Sequence, residues 1–184
     1  ILNAINDALK TAGSSAVTYQ VADWNALTTA LAKAKDGDSI ELTDHITDAG
    51  KGVDTVSSAT ATVNKAITID GKGKTISAYD GKVTKNTTDA EGNVTASEQV
   101  DATFCFDMAG ASGIQIKDLT IDGASFGSKL GGAMYVESGD SADDVVELAL
   151  TNVTFRNCKA GNTGAGNGGA AVYVEPHRGG TPML

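Results

Sequence analysis

Apolar and polar residues alternate along much of this chain in short runs, and two of those runs share one shape. Ile114, Ile116, Leu119 and Ile121 correspond at a constant offset to Leu148, Leu150, Val153 and Phe155. The shape is apolar–x–apolar–x–x–apolar–x–apolar, with Asp118 or Asn152 at the break in phase. A period of two predicts a strand with one buried face, and the break predicts a corner that keeps the same side inward. Ile67, Ile69 and Ile76 give a looser copy, and LTIDG at 119–123 nearly repeats ITIDG at 67–71. Gly131-Gly132-Ala133 and Gly168-Gly169-Ala170 each lead into an apolar Y-V-E run. Strand-plus-turn units recurring every few tens of residues predict a solenoid whose coils bury their apolar sides by stacking. By the alternation, Phe104, Phe106, Met134, Val136, Val172 and Val174 join the inward set.

Helical spacing occurs near the start. Leu2, Ile5 and Leu9 predict a helix ending at Gly13, followed by a weak strand over 17–22. Asp23 is placed to cap a second helix whose apolar face is Trp24, Leu27 and Leu31, with Ala30 and Ala34 allowing close approach and Gly37 ending it. Trp24 on that face reads as core packing. The expected division is a lead-in over 1–22, a capping helix over 23–37, coils over 38–175 and an irregular tail over 176–184, where the strand period fails. The helix would shield the first coil against edge-to-edge aggregation. A long polar stretch at 79–102 interrupts the coils, and Asp89-Ala90-Glu91-Gly92-Asn93 at its centre is turn chemistry. It predicts a hairpin or ordered loop. Because insertions on rigid scaffolds carry binding, Lys85, Asn86, Asp89, Glu91 and Asn93 are its candidate contact residues.

The succession of a short helix, DGDSIEL, ITIDGKGKTI, FCFDM, IQIKDLTI and glycine-pair units ending in LTNVTFRNC resembles the start of a right-handed, pectin-lyase-like parallel β-helix. The last two units are similar to repeats of bacterial surface adhesins and polymorphic outer-membrane proteins, although Cys158 stands where those repeats carry Asn. The resemblance spans about residues 20–175. It implies an all-β, right-handed parallel β-helix solenoid with an N-terminal capping α-helix. It also implies a secreted or cell-surface location and a role in adhesion to a glycan or host protein, or as a stalk. Further coils or another chain would cover the C-terminal end.

The formal charge of −9, from 23 acidic and 14 basic residues, argues against nucleic acid, as guanidinium groups come only from Arg156 and Arg178. No apolar run reaches the length of a membrane span. Cys105 and Cys158 lack metal-binding spacing, and a disulfide between them would need facing side chains on adjacent coils. GKGKT at 71–75 lacks the first glycine of a phosphate loop, Thr68 holding its place, and a strand follows it. GNTGAGNGG at 161–169 lacks the regular Asp of calcium-binding repeats.

Relatives that cleave acidic polysaccharides group carboxylates on one outer face with a basic clamp, often with calcium. For such an enzyme the candidates here are Asp70, Asp107 and Asp122, with Arg156 as clamp; the competing reading of Asp-Gly is a corner. Asp143 and Asp144 read as loop, and His45 and His177 lack partners at useful spacing. No cofactor is expected for an adhesive module, and calcium is the ion the enzyme reading would add. A third reading is a purely structural block of a larger wall-bound protein.

Overall fold

The computed structural model describes residues 15–52, 59–109, 112–125, 132–137, 145–160, 170–175 and 181–183. The helix expected over 1–13, the glycine-rich stretch at 161–169, Asp143, Asp144 and His177 lie outside the described residues. In chain order the elements are β1 (Thr18–Val21), α1 (Trp24–Lys33), β2 (Ser39–Leu42), β3 (Ile46–Ala49), β4 (Ala59–Thr62), β5 (Thr68–Ala78) and β6 (Lys82–Thr88). Then follow β7 (Val94–Asp101), β8 (Phe104–Ala109), β9 (Ile114–Asp122), β10 (Met134–Glu137), β11 (Val145–Arg156), β12 (Val172–Glu175) and β13 (Thr181–Met183).

A seven-stranded sheet runs β1-β2-β5-β9-β11-β13, with β3 also pairing β5, and a four-stranded sheet runs β12-β10-β8-β4. Every pairing in these two sheets is parallel. β6 and β7 form a separate antiparallel pair. Register stacks like on like, because a one-residue slip would turn a buried row to solvent. Ile40, Ile69, Ile116 and Leu150 share one row, and Ile46, Ile76, Ile121 and Phe155 another. Ala61, Phe106, Met134 and Val172 form the facing row. The isoleucines and Phe106 are fully buried, each worth about 1.5–3 kcal/mol relative to exposure.

The all-β, right-handed β-helix solenoid expected from the sequence is corrected by these sheets. The strands sort into sheets of seven, four and two, the last antiparallel, and the helix is part of the core, giving a mixed arrangement of parallel sheets and helix. In-register apolar rows arise in any stacked parallel sheet, so the repeat did not dictate how the sheets join. Trp24 packs edge-to-face with Phe104 and Phe106, with ring centroids 5.4 and 6.3 Å away. Leu27, Ala30 and Leu31 are buried beside it. The Asp23 carboxylate accepts from the Ala26 N–H at 2.7 Å and starts the helix.

The break in phase has a backbone cause. Asp118 and Asn152 take φ of 51° and 53°, the left-handed conformation that short polar side chains tolerate. Each turns its strand without changing which side faces inward, and Asn152 Nδ2 donates to Asp118 Oδ1 at 2.7 Å. In the GGA marker, Gly132 lies against the Ala170 carbonyl, where a Cβ would overlap backbone, and the Ala133 N–H donates to Ala170 and Ala171 carbonyls. Thr181–Met183 pair with Val145–Glu147, although the sequence there has no strand period.

Candidate functional site

Of the three carboxylates singled out by sequence, Asp70 sits in the most developed polar cluster. It lies on β5, is 5% exposed, and occupies an outer row with Gln20, Glu41, Lys117 and Thr151. Its Oδ2 is 3.1 Å from Lys72 Nζ and 3.2 Å from Lys117 Nζ, and its Oδ1 accepts the Lys72 N–H at 2.9 Å. Lys72 Nζ also reaches Glu41 Oε1 at 2.8 Å, and Gln20 Nε2 donates to Glu41 Oε2 at 2.9 Å. The cluster therefore ties together β1, β2, β5 and β9.

Lys72 reaches both carboxylates because the chain bulges between Asp70 and Lys74, with Lys72 at φ 49°. Gly71 makes the bulge: a Cβ there would overlap the Asp118 carbonyl and Leu119. Burial alone would raise the pKa of Asp70, but the Lys72 N–H and the two ammonium groups outweigh it and hold the carboxyl below its ordinary value. Glu41 is lowered by its bond from Lys72 and then by Gln20. Both carboxylates stay ionised at neutral pH and balance the two lysines. A general acid needs the opposite shift, so the chemistry of Asp70 is that of an anion cross-linking cations.

Asp122 belongs to another row. The near-repeat of LTIDG and ITIDG suggests that Asp70 and Asp122 are equivalent, yet Thr68, Ile69 and Asp70 of β5 pair with the first half of β9, placing Asp70 beside Lys117, whereas Asp122 in the second half of β9 stands beside Ser77. Asp122 accepts from Arg156 Nε at 2.9 Å and from Asn157 Nδ2 at 2.7 Å, so Arg156 is engaged as its partner. Asp107 lies on β8 in the other sheet, in register with Thr62 and Tyr135. The three carboxylates thus occupy three rows on two sheets. The sequence reading missed Lys72, Lys117 and Glu41; the GKGK run was the local signal of Lys72 alone, and nothing local marked its meeting with Glu41 and Lys117 across strands.

The insertion residues are gathered by the β6–β7 hairpin. Lys85 pairs with Glu98 at 3.0 Å, and Ser97 Oγ donates to Asn86 Oδ1 at 2.6 Å. Asp89 accepts the Glu91 and Asn93 N–H groups and the Asn93 side chain, so Asp89 and Asn93 build the turn. These bonds, led by the Asn93 side chain, lower the pKa of Asp89. The Glu91 side chain is exposed at the tip.

His45 Nδ1 accepts the Thr75 N–H at 3.1 Å, which fixes its ring to β5. Cys105 and Cys158 are free thiols. Burial pushes the Cys158 thiol upward and leaves it protonated. Among the described residues, no three His, Cys, Asp or Glu side chains converge as a metal group, and no helix is long and apolar enough to cross a membrane. No protein family, curated protein or solved structure matches the chain.

Proposed function

We propose that this chain is a rigid contact module of a secreted or cell-surface protein, acting in adhesion to a glycan or a host surface protein. The observation that carries the reading is the hairpin. β7 is exposed along nearly its whole length, yet the hairpin's shape is set by cross-strand bonds: Lys82–Asp101, Gln99–Thr84, Ser97–Asn86 and Lys85–Glu98. Val83 is its one buried apolar side chain among the described residues. A pre-shaped polar ribbon loses little conformational freedom on binding, which favours contact without refolding. The sequence resemblance to bacterial surface proteins supports the location. Partly buried Leu150, Val153, Phe155, Val172 and Val174 support a contact with another chain at β11 and β12.

Cleavage of acidic polysaccharide finds less support, since Asp70 and Asp122 are both held by cations. The test applies the purified chain to a glycan array and to immobilised host surface proteins, with turnover of acidic polysaccharide followed with and without calcium. Binding without turnover is expected. It should vanish when residues 82–101 are replaced by a short Gly-Ser link, which the pairing of Lys82 with Asp101 makes feasible. Turnover abolished by Asp70→Asn or Asp122→Asn would replace this reading with an enzyme.

A further inference from the structure

β11 carries an edge that its neighbouring strands leave uncovered. On one side it pairs with β9 over 148–156, and on the other β13 pairs only with 145–147. Among the described residues no strand pairs with 148–155 on that second side. In a parallel ladder alternate residues turn their peptide groups to opposite neighbours. The Gly123 N–H donates to the Arg156 carbonyl, so Val153 and Phe155 turn theirs away from β9. The Gln115 N–H donates to the Ile67 carbonyl, which leaves Ile114 and Ile116 to bond Ala149 and Thr151 of β11 and turns Leu148 and Leu150 outward. The side chains follow the backbone: Ile114, Ile116, Leu119 and Ile121 of β9 are at most 1% exposed, whereas Leu150, Val153 and Phe155 in the same rows are only partly buried.

The order of residues on this edge selects its partner. Apolar–x–apolar–x–x–apolar–x–apolar reads the same from either end, with Thr151 and Asn152 at its middle. An antiparallel strand of identical sequence, related by a two-fold axis at that middle, sets Leu150 against Val153 and Leu148 against Phe155. In each such pair the outward peptide groups face one another, as an antiparallel ladder requires. The same register brings Glu147 of each copy next to Arg156 of the other. Both side chains are exposed, and although Asp122 engages the Arg156 Nε, a guanidinium carries further N–H donors. A slip of one residue would oppose apolar to polar positions throughout. β13 bounds the free edge at Glu147, and Asn157, with φ 54°, ends the strand at the other limit.

We propose that a second copy of this chain occupies the edge, pairing antiparallel along 148–155 to give a two-fold dimer whose sheet runs from one copy into the other. Main-chain bonds, the covered apolar rows and the Glu147–Arg156 contacts hold it together. An exposed strand edge invites such addition, and a closed two-fold pairing uses up the edge on both copies. The dimer rests on the reading of β11 and β12 as a contact with another chain, which it identifies, and it does not involve the hairpin.

The test follows the mass of the purified full chain by light scattering and native mass spectrometry over a dilution series. A dimer that dissociates on dilution is expected. Glu147→Arg alone and Arg156→Glu alone each set like charges together at both ends of the pairing and should raise the dissociation constant about tenfold. Mixed in equal amounts, the two variants should form a heterodimer as tight as the wild-type dimer, because opposite charges meet again at both ends. Cross-linking gives a readout independent of those charges. In a Cys158→Ser background, Thr151→Cys, beside the axis, should yield a covalent dimer on mild oxidation, and Thr120→Cys, one strand further in, should not. A monomer at millimolar concentration, open-ended assemblies, a dimer indifferent to both charge variants, or a mixture no tighter than its components would each overturn the proposal. Protein lacking 82–101 should dimerise as the full chain does. A monomer that still binds glycan or host protein through the hairpin would sink the dimer and leave the contact-module reading standing.

Discussion

Asn152 shows how much one side chain decides. Its φ of 53° is one that β-branched residues adopt only with strain, and its amide bonds Asp118 across the sheet. Asn152→Val should cost about 1–3 kcal/mol, combining left-handed strain with the lost hydrogen bond. Asn152→Gly, which relieves the strain and loses only the bond, should cost about 1 kcal/mol or less. Urea unfolding of both variants checks the order; equal losses would mean that the conformation contributes nothing. Asp118 and Asn152 stood out in the sequence because the apolar period slips there, and a left-handed residue is the physical means of slipping it. Lys72 also adopts the left-handed region, without a polar side chain that favours it, and its role was visible only when Glu41 and Asp70 were seen beside it.

At the scale of elements, the hairpin and the parallel strands are stabilised by different forces. β5 and β9 each present buried isoleucines to the core and have partners on both sides. Among the described residues β6 and β7 pair only with each other, and exposed polar cross-strand pairs contribute less than about 1 kcal/mol each. Hydrogen exchange should therefore show β6 and β7 amides opening well before those of β5 and β9, as local stability follows buried apolar contact. Equal protection would indicate that the hairpin is docked on the body. The α1 helix belongs with the parallel strands, since Trp24 contacts both Phe104 and Phe106. Its amphipathic face was readable from spacing alone.

For the whole molecule, the Asp70 cluster joins four strands that are distant in sequence, so its ionisation is coupled to folding. The folded pKa of Asp70 lies below the ordinary carboxylate value of about 3.9. A depressed carboxylate contributes stability that is present above its unfolded pKa and is lost as pH falls through the folded one. Asp70→Asn should lower stability by about 1–3 kcal/mol at pH 7, because Lys72 and Lys117 lose their shared partner. The gap from wild type should close as pH is taken below about 4. Chemical denaturation across that range measures it, and a gap independent of pH would assign the loss to packing.

By itself, the sequence determined the inward apolar rows of the strands, where the corners fall and which helix face is apolar. These are local consequences of side-chain period and backbone preference. It did not determine the burial of Asp70, Cys105 and Tyr135 on the other side of their strands. The tertiary structure alone decided how strands group into sheets of seven, four and two, why the expected solenoid gave way to a mixed arrangement, and which charges meet. Asp70, before the bulge, faces Lys117, and beyond the bulge between Asp70 and Lys74 the shifted register sets Asp122 beside Ser77. A near-repeat in sequence fixes the order of residues along one strand; the hydrogen-bond ladder between strands fixes who stands beside whom, and the two extra residues of β5 between Asp70 and Lys74 move every later partner by two while keeping the same side inward.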